Sequence, residues 1–192
     1  MVYVALLRGI NVGGKTKVAM AALRDTCAAV GCENVLTYIQ SGNVVLTSKL
    51  GADKLRAALE AAIAADFGFS PAVMIRTATE MAAVIERHPY PDADEGHVHV
   101  GFLHAAPHAK TERCLAAIDC EPERVTVVGR DLYLHLPNGM GRANLPVQID
   151  RCLRPTRLTV RNWRTVTKLA ALSNTSPGGA TSGPQSRPLS LK

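Results

Sequence analysis

The chain is predicted to be α+β: two ferredoxin-like βαββαβ units in tandem, with extra helices and a disordered C-terminal tail. Three observations predict this. A polar turn, QSGN at 40–43, joins two apolar strand-like runs directly after the first helix-like run, which implies antiparallel pairing. The order strand, helix, strand, strand, helix, strand then occurs again beyond a linker that holds two prolines, HPYPDADEG at 88–96. Residues 173–192 are rich in Ser, Thr, Gly and Pro and offer little apolar surface to bury.

Residues 2–7 are an apolar run with β-branched and aromatic members, read as a buried strand. Across 18–30, Met20, Leu23, Cys27 and Val30 recur at helical spacing, and Gly31 supplies a stop. Residues 35–39 and 44–47 are the hairpin strands. Leu55, Leu59, Ala62 and Ile63 line one face of a helix over 52–66, which Gly68 ends, and 72–76 is the fourth strand. A helix over 77–87 leads to the linker. In the second unit, strands are expected at 97–104, 124–128, 132–136 and 156–161, the middle two around the tight turn Gly129–Arg130–Asp131. Helices are expected at 110–118, 145–153 and 163–172. The domain reading is therefore 1–78 and 97–172 as the two units, 79–96 as helix and linker, and 173–192 as tail. The halves share element order and no visible sequence identity.

The charge is uneven. The chain carries +6 overall, yet residues 142–168 alone hold seven cations against one carboxylate, Asp150. That local excess favours a phosphate-bearing or other polyanionic partner. Aromatic residues make up only 4%, which argues against a single-strand binder built on many stacking platforms. The five cysteines are odd in number and lack zinc-knuckle spacing, so reduced, mostly buried thiols and a cytoplasmic location are expected. The apolar start ends at Arg8, too short for a signal-peptide core. No run approaches the ~18 apolar residues of a membrane span.

The stretch RGINVGGKTK, 8–17, is the first candidate site. Its glycines permit positive φ and close backbone approach, and its cations precede a helix. GINVGGKT also fits the phosphate-loop pattern, in which Lys15 would reach phosphates and Thr16 a magnesium ion. The hairpin that follows removes the parallel sheet such a loop requires, so a simpler anion-binding loop is favoured over a nucleotide hydrolase. Gln40, Ser41 and Asn43 bring amide and hydroxyl groups to the hairpin turn, expected at the opposite end of the strands from the first loop. PNGMGR, 137–142, is a second glycine loop ending in a cation before a helix, and the two loops suggest a shared anion site. In RNWRTVTKL, 161–169, Arg164 and Lys168 lie on one helical face, and Trp163, the only Trp, is a packing anchor more readily than a stacking platform.

Other chemistries lack their residues. His97, His99, His104 and His108 do not complete a metal set, so no metal and no cofactor is expected. The His-x-Thr/Ser pair of the 2H phosphoesterases is absent. The third strand, VVLT, lacks the aromatics of an RNA-recognition motif.

LLRGINVGGKTKVAMAALR, TYIQSGNVVL, PNGMGRANL and VRNWRTVTKL, in that order, resemble the domain of unknown function 1697 family over about residues 1–172. The resemblance implies a pair of ferredoxin-like units in bacterial cytosolic proteins, and no activity. Its signature positions are Arg8, Gly9, Asn11, Gly13, Gly14, Lys15 and Lys17; Gln40, Ser41, Gly42 and Asn43; Gly141 and Arg142; and Arg161, Asn162, Trp163, Thr165 and Lys168. This chain has Thr16 where the family usually has Asn, Ala143 where it often has Ser, and Arg164 where Asn is common.

Three uses follow. The first is a phosphate-recognising protein with a nucleotide or nucleic acid as ligand, bound by all of those positions except Gly42. The second is an enzyme on a small phosphorylated substrate, oriented by Asn11, Gln40 and Ser41 and neutralised by Arg8, Lys15 and Lys17, though no general base stands out. The third is a structural or protein-interaction module in which Arg161 and Asn162 bond loop carbonyls and Trp163 fills the junction of the halves.

Overall fold

The computed structural model describes residues 1–13 and 16–175. β1 (Val2–Leu7) is buried along its whole length because both of its faces are covered. Val2, Val4 and Leu6 point into one core, while Tyr3, Ala5 and Leu7 point into another, the alternation that a pleated strand imposes. α1 (Met20–Ala29) and α2 (Ala52–Phe67) cover the second face through Leu23, Leu55, Leu59 and Ile63. Fully burying one such side chain contributes about 1.5–3 kcal/mol. β2 (Glu33–Tyr38), β3 (Asn43–Thr47) and β4 (Val73–Thr77) complete a sheet in the order β2-β3-β1-β4, antiparallel throughout.

The second half repeats the arrangement. β5 (Val98–Leu103), β6 (Arg124–Val128), β7 (Asp131–His135) and β8 (Leu158–Asn162) form an antiparallel sheet in the order β6-β7-β5-β8. α4 (Ala109–Ala116) and α5 (Leu145–Leu153) cover its outer face. Between the halves, α3 (Ala78–Glu86) and α6 (Trp163–Thr175) pack together in a central core. Val4 and Leu6 of one sheet and Val100 and Phe102 of the other belong to that same core. The two units therefore share buried surface instead of touching across a wet linker.

Two buried arginines tie the halves. Arg76 on β4 reaches into the second half: Nε and Nη2 donate to Asp131 Oδ1 (3.1 and 2.7 Å), and Nη2 also donates to the carbonyls of Leu103 and Arg130. Arg161 on β8 reaches into the first. Its Nε donates to Asn43 Oδ1 (2.5 Å), and its Nη2 to the carbonyls of Leu7, Ser41 and Gly42. Burial pushes the Arg76 guanidinium down, and the carboxylate of Asp131 pulls it back up.

Three expectations change. Cys114 and Cys152 form a disulfide between α4 and α5, with Cα atoms 5.7 Å apart, because adjacent helices bring together positions 38 residues apart. Cys27, Cys32 and Cys120 are free thiols. α6 runs on through Thr175, with Ser173 buried and its hydroxyl donating to Ala170 O, so residues 173–175 are helix and not tail. The remainder of the expected tail lies outside the described residues. The linker ends in a short 3-10 turn, Glu95–His97, where Asp94 accepts from Gly96 N, and the fifth strand begins only after it. No helix among the described residues is long and apolar enough to cross a membrane.

Arg76→Ala leaves the Asp131 carboxylate, 16% exposed, without its partner. A loss of about 3–5 kcal/mol is expected in urea unfolding followed by far-UV circular dichroism.

Candidate functional site

Beyond β1 the chain does not run straight into α1. Arg8 N still bonds Ala72 O, after which Gly9, Asn11 and Gly13 take positive φ (70°, 55° and 63°) and the backbone doubles back. Ile10 plugs the base of this loop, 1% exposed. Asn11 closes it. Its Nδ2 donates to Val18 O and to Gln40 O, its Oδ1 accepts from Val18 N, and its backbone N–H bonds Thr16 O. Thr16 Oγ1 donates to Gly9 O (2.7 Å) across the neck. Gly14 and Lys15 lie outside the described residues.

The hairpin turn stands against this loop, not at the far end of the strands as expected. β1 and β2 run the same way with β3 reversed between them, so the exit of β1 and the β2–β3 turn share one end of the sheet. Contact is close enough to demand glycine: a Cβ on Gly42 would lie 2.8 Å from Leu7 Cβ and 3.0 Å from Ile10 Cδ1. Asn43 is fully buried beneath the turn, donating to Tyr38 O and Ser41 Oγ while it accepts from Arg161.

The described parts of the loop and the turn thus pack against and bond each other. Gly9, Gly13, Lys17, Gln40 and Ser41 are exposed upon them, and Arg8 is half-buried beside them. Arg8 lies 3.7 Å from Asp150 near the end of α5, an exposed pair that Asp150 shares with Arg154. Such pairs are weak, worth about 0–1 kcal/mol. Among the described residues, nothing pairs with the side chain of Lys17.

Other residues of the expected site go elsewhere. Gly141 and Arg142 precede the first turn of α5, whereas Arg8 meets its last, so the two glycine loops do not converge. Arg142 instead lines a cavity of about 500 Å³ together with Arg151 and the carboxylates Asp119, Glu121 and Glu123. Glu123 accepts from the backbone N–H groups of Asn144 and Leu145, so a carboxylate already occupies that helix start. Asn43, Arg161, Trp163 and Thr165 are buried, and Asn43 and Arg161 bond each other across the junction. Trp163 packs on His88 with ring centroids 4.2 Å apart, and Asn162 caps α6 by accepting from Thr165 N. Arg164 and Lys168 remain exposed on α6.

The arrangement also removes the phosphate-loop reading. The Thr16 hydroxyl is engaged with Gly9 O, α1 begins only at Met20, and both sheets are antiparallel. Among the described residues no three His, Cys, Asp or Glu side chains are grouped to hold a metal ion.

Sequence reading missed Arg76, Asp131 and Glu123. A signal for the first existed: MIRTA and VRNWR each place an arginine at a strand end, immediately before a helix-capping residue.

The family described as "Protein of unknown function (DUF1697)" matches residues 1–133, a shorter span than the resemblance implied, and it omits PNGMGR and RNWRTVTKL. No curated protein matches the chain. A solved structure described as that of a conserved bacterial protein from Streptococcus pneumoniae is similar, with a TM-score of 0.69 and 24% identity, covering 90% of this chain and 98% of the other. At that identity the likeness supports the fold.

Asn11→Gly keeps the left-handed backbone but deletes the side-chain bonds to Val18 and Gln40. A stability loss of about 1–3 kcal/mol is expected, together with faster amide exchange at Val18, measured by NMR.

Proposed function

The chain belongs to the DUF1697 family, whose description carries no activity, and from its own surface we propose that it is a phosphate-recognising protein with a nucleotide or nucleic acid as ligand. One observation carries this reading: Lys17, without a side-chain partner among the described residues, and the exposed Gln40 and Ser41 stand on a loop and turn that Asn11 and Gly42 hold together. A preorganised set of donors and a cation loses little freedom on binding an anion. The proposed site is smaller than the sequence suggested and leaves out PNGMGR, because Glu123 already accepts from the helix start that follows it. The single Trp is buried, which favours a nucleotide over a long single strand.

Each half is read here as a ferredoxin-like unit, and the pair as an internal duplication. The repeated strand order and the reciprocal arginines support that reading. The cytoplasm remains the proposed location, with the Cys114–Cys152 disulfide the feature uncommon there.

The enzyme alternative is weakened because both polar atoms of the Asn11 side chain are engaged in closing the loop. The structural-module alternative is favoured by Asn43, Arg161 and Trp163, which sit in the junction.

Thermal shift and calorimetry with inorganic phosphate, ATP and short DNA and RNA, at low and high salt, test the proposal. Saturating ligand should stabilise the protein by about 2.7 kcal/mol at a hundred times Kd, and salt should weaken binding. Lys17→Ala should lower affinity by about tenfold, the loss of one charge-assisted bond. Absence of binding to every anion at low salt, with Lys17→Ala altering nothing, rejects it in favour of a scaffold.

A further inference from the structure

The two arginine bridges occupy equivalent places. Arg76 faces Val4 across the β1–β4 ladder, and Arg161 faces Val100 across β5–β8. Their acceptors are equivalent too: Asn43 faces Leu6 and Asp131 faces Phe102, while Leu7 O and Leu103 O each receive the crossing guanidinium. The correspondence continues into the helices. Thr77 and Asn162 each accept from the N–H three residues on, Glu80 and Thr165, and Met81, Val84, Val166 and Leu169 all enter the central core.

Charge breaks this equivalence. Around Arg76, Asp131 pairs with Arg76 and Glu80 with Arg130, so positive charge is answered on the spot. At the matching positions around Arg161 stand Asn43, Thr165 and Gly42, none of them charged. Every guanidinium nitrogen of Arg161 donates to a neutral oxygen, from Asn43, Thr159, Val160, Leu7, Ser41 and Gly42. Burial pushes this guanidinium down to about 10, with no carboxylate acting against it. A buried cation held by neutral dipoles alone is costly and attracts an anion to its mouth.

The mouth can be located by the same correspondence. Beside Arg76 there is a cavity of about 300 Å³ between α3, at Thr79 and Ala83, and the β6–β7 turn. The positions matching Thr79 and Ala83 on α6 are Arg164 and Lys168, and the matching turn is the β2–β3 turn that carries Gln40 and Ser41. The Arg76 cavity sets Arg76, Arg87 and Arg130 against Glu80 and Asp131, whereas the matching face has Arg161, Arg164 and Lys168 and no carboxylate at the positions of Glu80 and Asp131.

We infer that the face between the β2–β3 turn and α6 is the inner part of the anion site, that Arg164 and Lys168 form its rim, and that it takes a small phosphate monoester. This deepens the phosphate reading and rests on it. The counterpart cavity beside Arg76, about 300 Å³, is of small-molecule size, and the buried Trp163 is unavailable to stack a base. Arg161 is a positioning residue: its N–H groups are all engaged, and it acts through its charge and its grip on Ser41 and Gly42.

Asn43→Asp copies Asp131 and neutralises Arg161 in place. Calorimetry with inorganic phosphate and glycerol 3-phosphate should show affinity about tenfold weaker, although the loss of the Asn43 Nδ2 bond to Tyr38 O lowers the melting temperature of the free protein. The surface double variant Arg164→Ala/Lys168→Ala should weaken binding by about fivefold or more, with weaker salt dependence, and it decides the matter should Asn43→Asp fail to fold. Phosphate binding that is lost in Lys17→Ala but unchanged in both of these variants overturns this inference and leaves the loop reading standing. Binding of an oligonucleotide without binding of the monoester overturns the ligand class. A wild-type protein that binds no phosphate overturns both.

Discussion

The structure depends on a pair of arginines that cross from one half to the other. Each leaves the end of a strand, enters its neighbour, and bonds backbone carbonyls at the ends of the neighbour's strands and in its hairpin turn. Burying a guanidinium is expensive, and what offsets the cost is an acceptor for every N–H. Those acceptors exist only when the sheets are docked. The arginines therefore act less as adhesive than as a test of register: a shifted junction would strand a charge among apolar side chains.

This constraint explains the layout of the candidate site. Arg161 grips Ser41 and Gly42, Gly42 abuts Leu7 and Ile10, and Ile10 and Asn11 shape the glycine loop. A residue of the last strand thus holds a turn of the first sheet, which in turn supports the loop after the first strand. The loop's exposed cation stands on a foundation built from both halves.

Much of the fold was legible in the residues, and the reasons differ by element. The alternation of Val2, Val4 and Leu6 with Tyr3, Ala5 and Leu7, and the QSGN turn, are local signals that tertiary structure did not override. Identities at the site were legible, but roles were not. Asn43, Arg161 and Trp163 carry polar or aromatic chemistry suited to a ligand, yet each is consumed by burial, which depends on contacts far away in the chain. PNGMGR resembled the first loop in composition, and only the placement of Glu123 beneath the following helix shows why it is a different environment. The Cys114–Cys152 pair was invisible because spacing along a chain says nothing about which helices lie side by side. The shared end of loop and turn follows from strand direction alone, since β1 and β2 run the same way on either side of β3.

The bonds from Arg161 to Leu7 and Asn43 span 154 and 118 residues. On a ribosome the N-terminal sheet emerges long before the residue that secures its turn. Until the eighth strand is made, the glycine loop rests on a hairpin that lacks the Arg161 bonds to Leu7, Ser41 and Gly42. Its geometry is therefore completed only after the eighth strand has emerged, and contacts of such long range slow docking of the two sheets. A chain arrested before its last strand would display the most recognisable motif of the sequence without the structure that gives that motif its shape.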